Sequence, residues 1–248
     1  MRVSTPINPS NRISDLKVFY DLLAELEHRV GGTRLLADCN GRMSWPTRGI
    51  YFFFEPGEVR IDSGTGLRVV RVGTHALTAT SCTTLWNRLS QHRGRASGRG
   101  NHRGSIFRLI VGSALKACGG TVEPSSWGIG ADSCVAASKL HQDRIAIVSN
   151  EATLEATVSR YIGAMPFLWL CIDGPGGPDN LRSYIERNSI ALLSNYQGNV
   201  LDLAASGWLG QHCDRERVQK SGLWNSNHVD GPYDPAFLDV LRQLIEAV

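Results

Sequence analysis

The sequence contains no CxxC pair. Its six cysteines (Cys39, Cys82, Cys118, Cys134, Cys171 and Cys213) are widely scattered, which argues against a zinc ribbon or a thioredoxin-like motif. No apolar run approaches the ~20 residues that a membrane helix needs; the longest candidate is Phe167 to Ile172. The first residues, MRVSTPINPSNR, lack the apolar stretch of a secretory signal. Together these absences predict a soluble, cytoplasmic protein with reduced thiols, most of them small core residues. Compositional bias is missing too: 42% of the 248 residues are hydrophobic, and 26 Lys and Arg face 23 Asp and Glu. That excludes disorder, collagen and coiled coil. A chain of this length can bury roughly 70–75% of its unfolded surface without disulfides or structural metal.

One absence is local. From Ser63 to Val122 there is no Asp or Glu in 60 residues, while Arg68, Arg71, Arg88, Arg93, Arg95, Arg99, Arg103, Arg108 and Lys116 supply nine positive charges. The rest of the chain holds 17 bases and 23 acids, so a net of +9 stands against −6. Asymmetry on this scale suggests a polyanionic partner, with nucleic acid the commonest case. The competing reading is a solvated basic face that meets an acidic protein. Arginine outnumbers lysine eight to one, which suits planar, two-donor phosphate contacts.

Residues 14–30 place Leu16, Phe19, Leu22, Leu23, Leu26 and Val30 on one helical face, with Ser14 as N-cap and Gly31-Gly32 as stop. Gly49 to Phe54 and Leu67 to Val72 are rich in strand formers and read as an antiparallel hairpin with a long connection. A short helix follows near 84–92, then a glycine- and arginine-rich segment, 94–104, expected to be a mobile loop. Ser105 opens an apolar helix that closes at Gly119-Gly120. Residues 121–145 carry no regular pattern, and Asn150 is the expected cap of a helix reaching about Ile162. Phe167 to Ile172 has the length of a buried strand, GPGGPDN leads into a helix over 181–193, and an amphipathic helix spans 235–247. This order predicts an α+β fold with a small sheet.

Four pieces then align: Gly49-Ile50-Tyr51 on the first strand, Arg71-Val72-Gly73 on the next, Arg88 and His92 four apart on one helix, and Glu186 on the helix after the buried strand. The combination resembles the GIY-YIG nuclease superfamily, over about 48–93 and 166–199. The resemblance implies a three-stranded antiparallel sheet flanked by helices, and cleavage of nucleic acid, here expected to be DNA, with one Mg²⁺ or Mn²⁺. It further implies a helical segment over 1–47, a core over 48–199 with an insertion at about 94–165, and an extension over 200–248 packed on the core. Glu186 is the expected metal ligand, since Mg²⁺ keeps several waters and takes other ligands from phosphate. Arg88 would clamp the phosphate, and Tyr51 would orient or deprotonate the attacking water. His92 would bind phosphate or assist proton transfer. Arg93, Arg95, Arg99, Arg103 and Arg108 would follow the nucleic-acid backbone, and Asn195 or Asn199 would stand for the family's downstream asparagine. Where the family's second triplet has tyrosine this chain has Arg71, which can grip phosphate but cannot act as a base; His75, two residues past Gly73, is the candidate to take over proton transfer. A catalytically silent nucleic-acid-binding module and an RNA-directed nuclease are the alternatives on the same scaffold.

Overall fold

A computed structural model describes residues 9–78, 80–95, 97–120, 123–177 and 180–248. The expectation for the first eight residues, and for Ala96, Pro178 and Asp179 in the two glycine-rich loops, lies outside the described residues. In chain order the elements are α1 (Pro9–Val30), β1 (Arg34–Leu35), β2 (Gly49–Val59), β3 (Leu67–Thr74), α2 (Leu85–Arg93), α3 (Ile106–Cys118), α4 (Ser133–Leu140), α5 (Arg144–Gly163), β4 (Pro166–Cys171), α6 (Leu181–Leu193), α7 (Glu216–Ser221) and α8 (Phe237–Glu246).

The fold is α+β, but its sheet has four strands rather than the three expected. The order is β1-β4-β2-β3 with every pairing antiparallel. The added strand is two residues long, Arg34 opposite Phe167 and Leu35 opposite Pro166, too short to display the alternation that marks a strand in sequence. Helix α1 starts at Pro9, five residues before the expected cap at Ser14, and proline is tolerated in a first turn. The stretch 121–145, expected to be irregular, contains α4, and α5 begins at Arg144 rather than near Asn150. Its cap is Asp143, whose carboxylate accepts from the Ile145 and Ala146 N–H groups at 2.7 and 3.2 Å. Exposed Ile145 and Val148 blur the apolar face that would have announced this helix.

Both faces of the sheet are covered, which is why GIYFFF is an unbroken apolar run rather than an alternating one. Ile50, Phe52, Val72, Leu168 and Leu170 face α1, α6 and α8. Tyr51, Phe53, Phe167 and Trp169 face α2, α3 and α5, with Trp208 and Trp224 from the C-terminal segment. Glu55 of β2 ties that segment down, accepting from Trp208 Nε1 at 3.1 Å, Trp224 Nε1 at 2.9 Å and the Tyr161 hydroxyl. Burial raises the Glu55 pKa, and these three neutral donors partly offset the cost.

The end of the glycine- and arginine-rich segment, residues 100–104, is anchored by charge. Arg108 of α3 is fully buried, pairs with Glu155 of α5, and donates to the His92 carbonyl at 2.8 Å. His102 Nδ1 meets the same carboxylate at 2.9 Å, and Arg103 pairs with Glu151 at 2.7 Å. A Cβ on Gly100 would stand 2.6 Å from Arg108 Nε, so this glycine makes room for a guanidinium. With Arg68 paired to Glu58 at 2.5 Å, three bases of the acid-free stretch meet acids supplied from outside it. Replacing Arg108 with Ala leaves Glu155 buried and short of its partner, and should cost about 3–5 kcal/mol in urea denaturation. Replacing exposed Arg95 with Ala should change stability by no more than about 0.5 kcal/mol.

Candidate active site

The site is built on a close approach between β2 and β3. Tyr51 lies opposite Gly73 in the antiparallel register, and its ring covers the glycine: a Cβ there would stand 2.6 Å from Tyr51 Cζ. Gly49 is equally constrained, because a Cβ would strike the Leu170 carbonyl of β4. The two glycines of the motif are therefore requirements of space.

Helix α2 crosses the same face. Thr84 caps it by accepting from the Asn87 N–H at 3.1 Å, and buried Leu85 and Leu89 anchor it. On that inward stripe comes His92, fully buried, with Nε2 at 2.8 Å from Tyr51 Oη and Nδ1 at 2.7 Å from Ser105 Oγ. Burial first, then the charges of Arg88, Arg71 and Arg108, hold its pKa well below the usual value. At neutral pH it is a neutral imidazole, with one donor nitrogen and one acceptor, bridging two hydroxyls. This corrects the expectation that His92 binds phosphate: both of its ring nitrogens are already engaged, one by Tyr51 and the other by Ser105.

Arg71 and Glu186 lie near each other beside β3, the edge strand of the sheet. Arg71 is buried on the Tyr51 face, stacked over Phe107 with 4.6 Å to the ring centroid, and donates to the Trp224 carbonyl. Burial lowers its pKa, opposed by neighbouring Tyr51 and Glu186. Glu186 is half-buried and accepts from the Thr74 N–H at 3.1 Å. Burial pushes its pKa up to about 7, and Arg71, the Thr74 N–H and Arg88 only partly oppose this. Arg88, half-buried, donates to Gln91 Oε1 at 2.9 Å and the Gly104 carbonyl at 3.4 Å. His75 is buried near Arg88, its Nε2 3.3 Å from the Thr47 carbonyl, and burial takes its pKa down to about 4. Arg71 Nε, Arg88 Nε and His75 Nδ1 are all buried and without a hydrogen-bond partner.

The outlying residues divide. Arg95 and Arg99 are exposed, and half-buried Arg93 reaches the Ala37 carbonyl at 3.3 Å. Arg103 and Arg108 are spent on internal ion pairs, which corrects their expected place along a nucleic-acid backbone. Asn195 is also internal: its Oδ1 accepts from Arg12 at 3.2 Å and the Leu201 N–H at 3.0 Å. It packs the C-terminal segment instead of entering the cleft. Sequence reasoning assigned no role to Trp224 and Asn225, which stand in the distinctive segment SGLWNSNHV, and read Ser105 only as the opening of α3.

Among the described residues no three His, Cys, Asp or Glu side chains cluster as a metal site. What the cleft offers is one carboxylate beside unspent cationic donors, a set that fits a hydrated Mg²⁺ completed by substrate oxygens rather than an all-protein cage.

A glycine-spaced hairpin thus presents a tyrosine to a helix-borne histidine, with Arg71 and the Glu186 carboxylate alongside, in an α+β domain. The model of the GIY-YIG domain matches residues 10–248, and the chain belongs to that family. The match takes in α1 and the C-terminal segment, both beyond the third of the chain in which the motifs stand out. No curated protein and no solved structure matches the chain.

Because the Glu186 pKa is higher in the folded chain than in the unfolded one, its contribution to stability is greatest below about pH 4.5 and declines as pH rises through about 7. Glu186→Gln should therefore be more stable than the parent at pH 8, by about 1–3 kcal/mol, with the gap closing by pH 4.5. Denaturant midpoints across that range check it. In Gly73→Ala the Tyr51 ring must move, and stability should fall by about 1–3 kcal/mol.

Proposed function

We propose that this protein is a Mg²⁺-dependent endonuclease that hydrolyses phosphodiester bonds in DNA. The observation that carries this reading is a pair of buried donors without partners, Arg71 Nε and Arg88 Nε, beside Glu186 and the Tyr51–His92 pair. Buried donors without partners are costly, and a phosphodiester's nonbridging oxygens would satisfy them. A divalent ion held by Glu186 would supply Lewis-acid polarisation of the phosphate.

The chain's own groups supply the rest. Arg88 and Arg71 hold the phosphate and counter the charge that grows on its oxygens. Tyr51 Oη takes a proton from the attacking water as it hands its own to His92 Nε2. For that transfer Nδ1 carries the imidazole proton and donates it to Ser105, which leaves Nε2 free to accept. The water oxygen bonds to phosphorus, the bond to the leaving oxygen breaks, and that oxygen takes a proton from solvent while the proton on His92 is later returned to solvent through Tyr51. His75, neutral at working pH, adds a polar contact and is not required as a base.

Supercoiled plasmid incubated with the protein should be nicked in Mg²⁺ and left intact in EDTA. Tyr51→Phe should lower the rate about 10²–10⁴-fold, the range for loss of a general base, and Glu186→Ala should abolish nicking. Mg²⁺ should raise the melting temperature of the parent at pH 8 and leave that of Glu186→Gln unchanged. Binding without metal-dependent nicking would favour a silent binding module, and cleavage confined to RNA would move the substrate class.

A further inference from the structure

The outer edge of β3 borders the cleft, and its hydrogen-bonding groups are met by residues far along the chain. The Thr74 N–H goes to Glu186. The Val72 N–H donates to Asn225 Oδ1 at 3.1 Å, and the Val72 carbonyl accepts from Asn225 Nδ2 at 2.8 Å. The Val70 carbonyl accepts from the Trp224 N–H at 2.7 Å. One amide side chain thus takes both bonds that a neighbouring strand would make, and Trp224 adds a third. Because Trp224 N–H and Asn225 pin this two-residue stretch, the Trp224 carbonyl sits where the Arg71 guanidinium donates into it. The Trp224 indole is fixed independently on Glu55.

We propose that Asn225 is a positioning residue for Arg71. By pairing with Val72 it holds the Trp224 carbonyl against one end of the guanidinium, so that the Nε edge stays turned to the Tyr51–Glu186 cleft. The catalytic consequence rests on the nuclease reading; the positioning itself does not. It gives the C-terminal segment a role in the site and explains how a buried arginine is tolerated at the hairpin position where the family has tyrosine. The carbonyl absorbs part of the guanidinium's donor capacity, and the remainder is aimed rather than free to turn.

The test has two arms. In the first, the side-chain Nε–H resonance of Arg71 is identified in a nitrogen-15 spectrum by its loss in Arg71→Lys. Asn225→Ala should shift or broaden it while the melting transition stays cooperative; an unmoved resonance overturns the proposal. Should Asn225→Ala fail to fold, Asn225→Asp, which keeps an acceptor for the Val72 N–H and removes the donor to its carbonyl, takes its place with the same expectation. In the second arm, plasmid nicking is compared for Asn225→Ala, Arg71→Ala and the double variant. Asn225→Ala should lower kcat about tenfold with KM within about twofold, and the double variant should match Arg71→Ala alone. Losses that multiply would mean that Asn225 acts independently of Arg71, and would also overturn the proposal. If the parent chain does not nick at all, the nuclease reading fails and the resonance arm still decides the positioning.

Discussion

The constraint on which the site depends is the contact between the Tyr51 ring and Gly73. Two strands pair at a fixed spacing, and a tyrosine on one can lie flat across the other only where the opposed residue has no side chain. Once the ring lies there, its hydroxyl is directed toward α2, and His92 must arrive on the inward stripe of that helix to meet it. The capping threonine and the two leucines of α2 set the helix at the right depth. The rest of the cleft, with Arg71 two residues before the glycine and Glu186 at the strand's exposed edge, is arranged around that hydroxyl.

The charge pattern has a different meaning in three dimensions from the one it has along the chain. Sixty residues without an acid suggest a wholly basic surface. Folding brings Glu58, Glu151 and Glu155 to Arg68, Arg103 and Arg108, so a third of that positive charge becomes internal scaffold. The arginines that remain near the surface, Arg93, Arg95 and Arg99, lie at the end of α2 and just beyond it, while Arg88 and Arg71 carry charge toward Glu186. Linear charge density thus overstates the area of the basic face, and the arginine preference serves buried ion pairs as much as phosphate.

Much of the architecture was legible because its signals are local. The helical stripes of α1 and α8, the apolar runs of β2 and β4, and the start of α3 at Ser105 are each written in a few adjacent residues. The family triplets and the Arg88–His92 spacing are local too, and they drew attention to Tyr51, Arg88 and Glu186, all of which lie near enough to Arg71 to act on its charge. What could not be read was long-range. A two-residue strand has no period, the apolar face of α5 is interrupted by exposed residues, and Asn195 offered no sign that its partners were Arg12 and Leu201. Arg103 and Arg108 looked like their exposed neighbours because their acids stand some fifty positions away. Asn225 carried no assigned role, since an amide standing in for a strand is visible only when the strand is beside it.

Ser105 has two duties that are usually held by separate residues. Its hydroxyl closes the first turn of α3 by accepting from the Arg108 N–H at 3.3 Å, and the same oxygen meets the imidazole that touches Tyr51. Fraying at a helix end is ordinarily a private event, confined to a few backbone bonds. Here a frayed turn would withdraw the imidazole's partner and release its choice of tautomer, so thermal motion at one helix end would be heard at the tyrosine through a single ring. The segment between α2 and β4 thereby holds the hydrogen-bond partner of a hydroxyl that the sheet alone had placed.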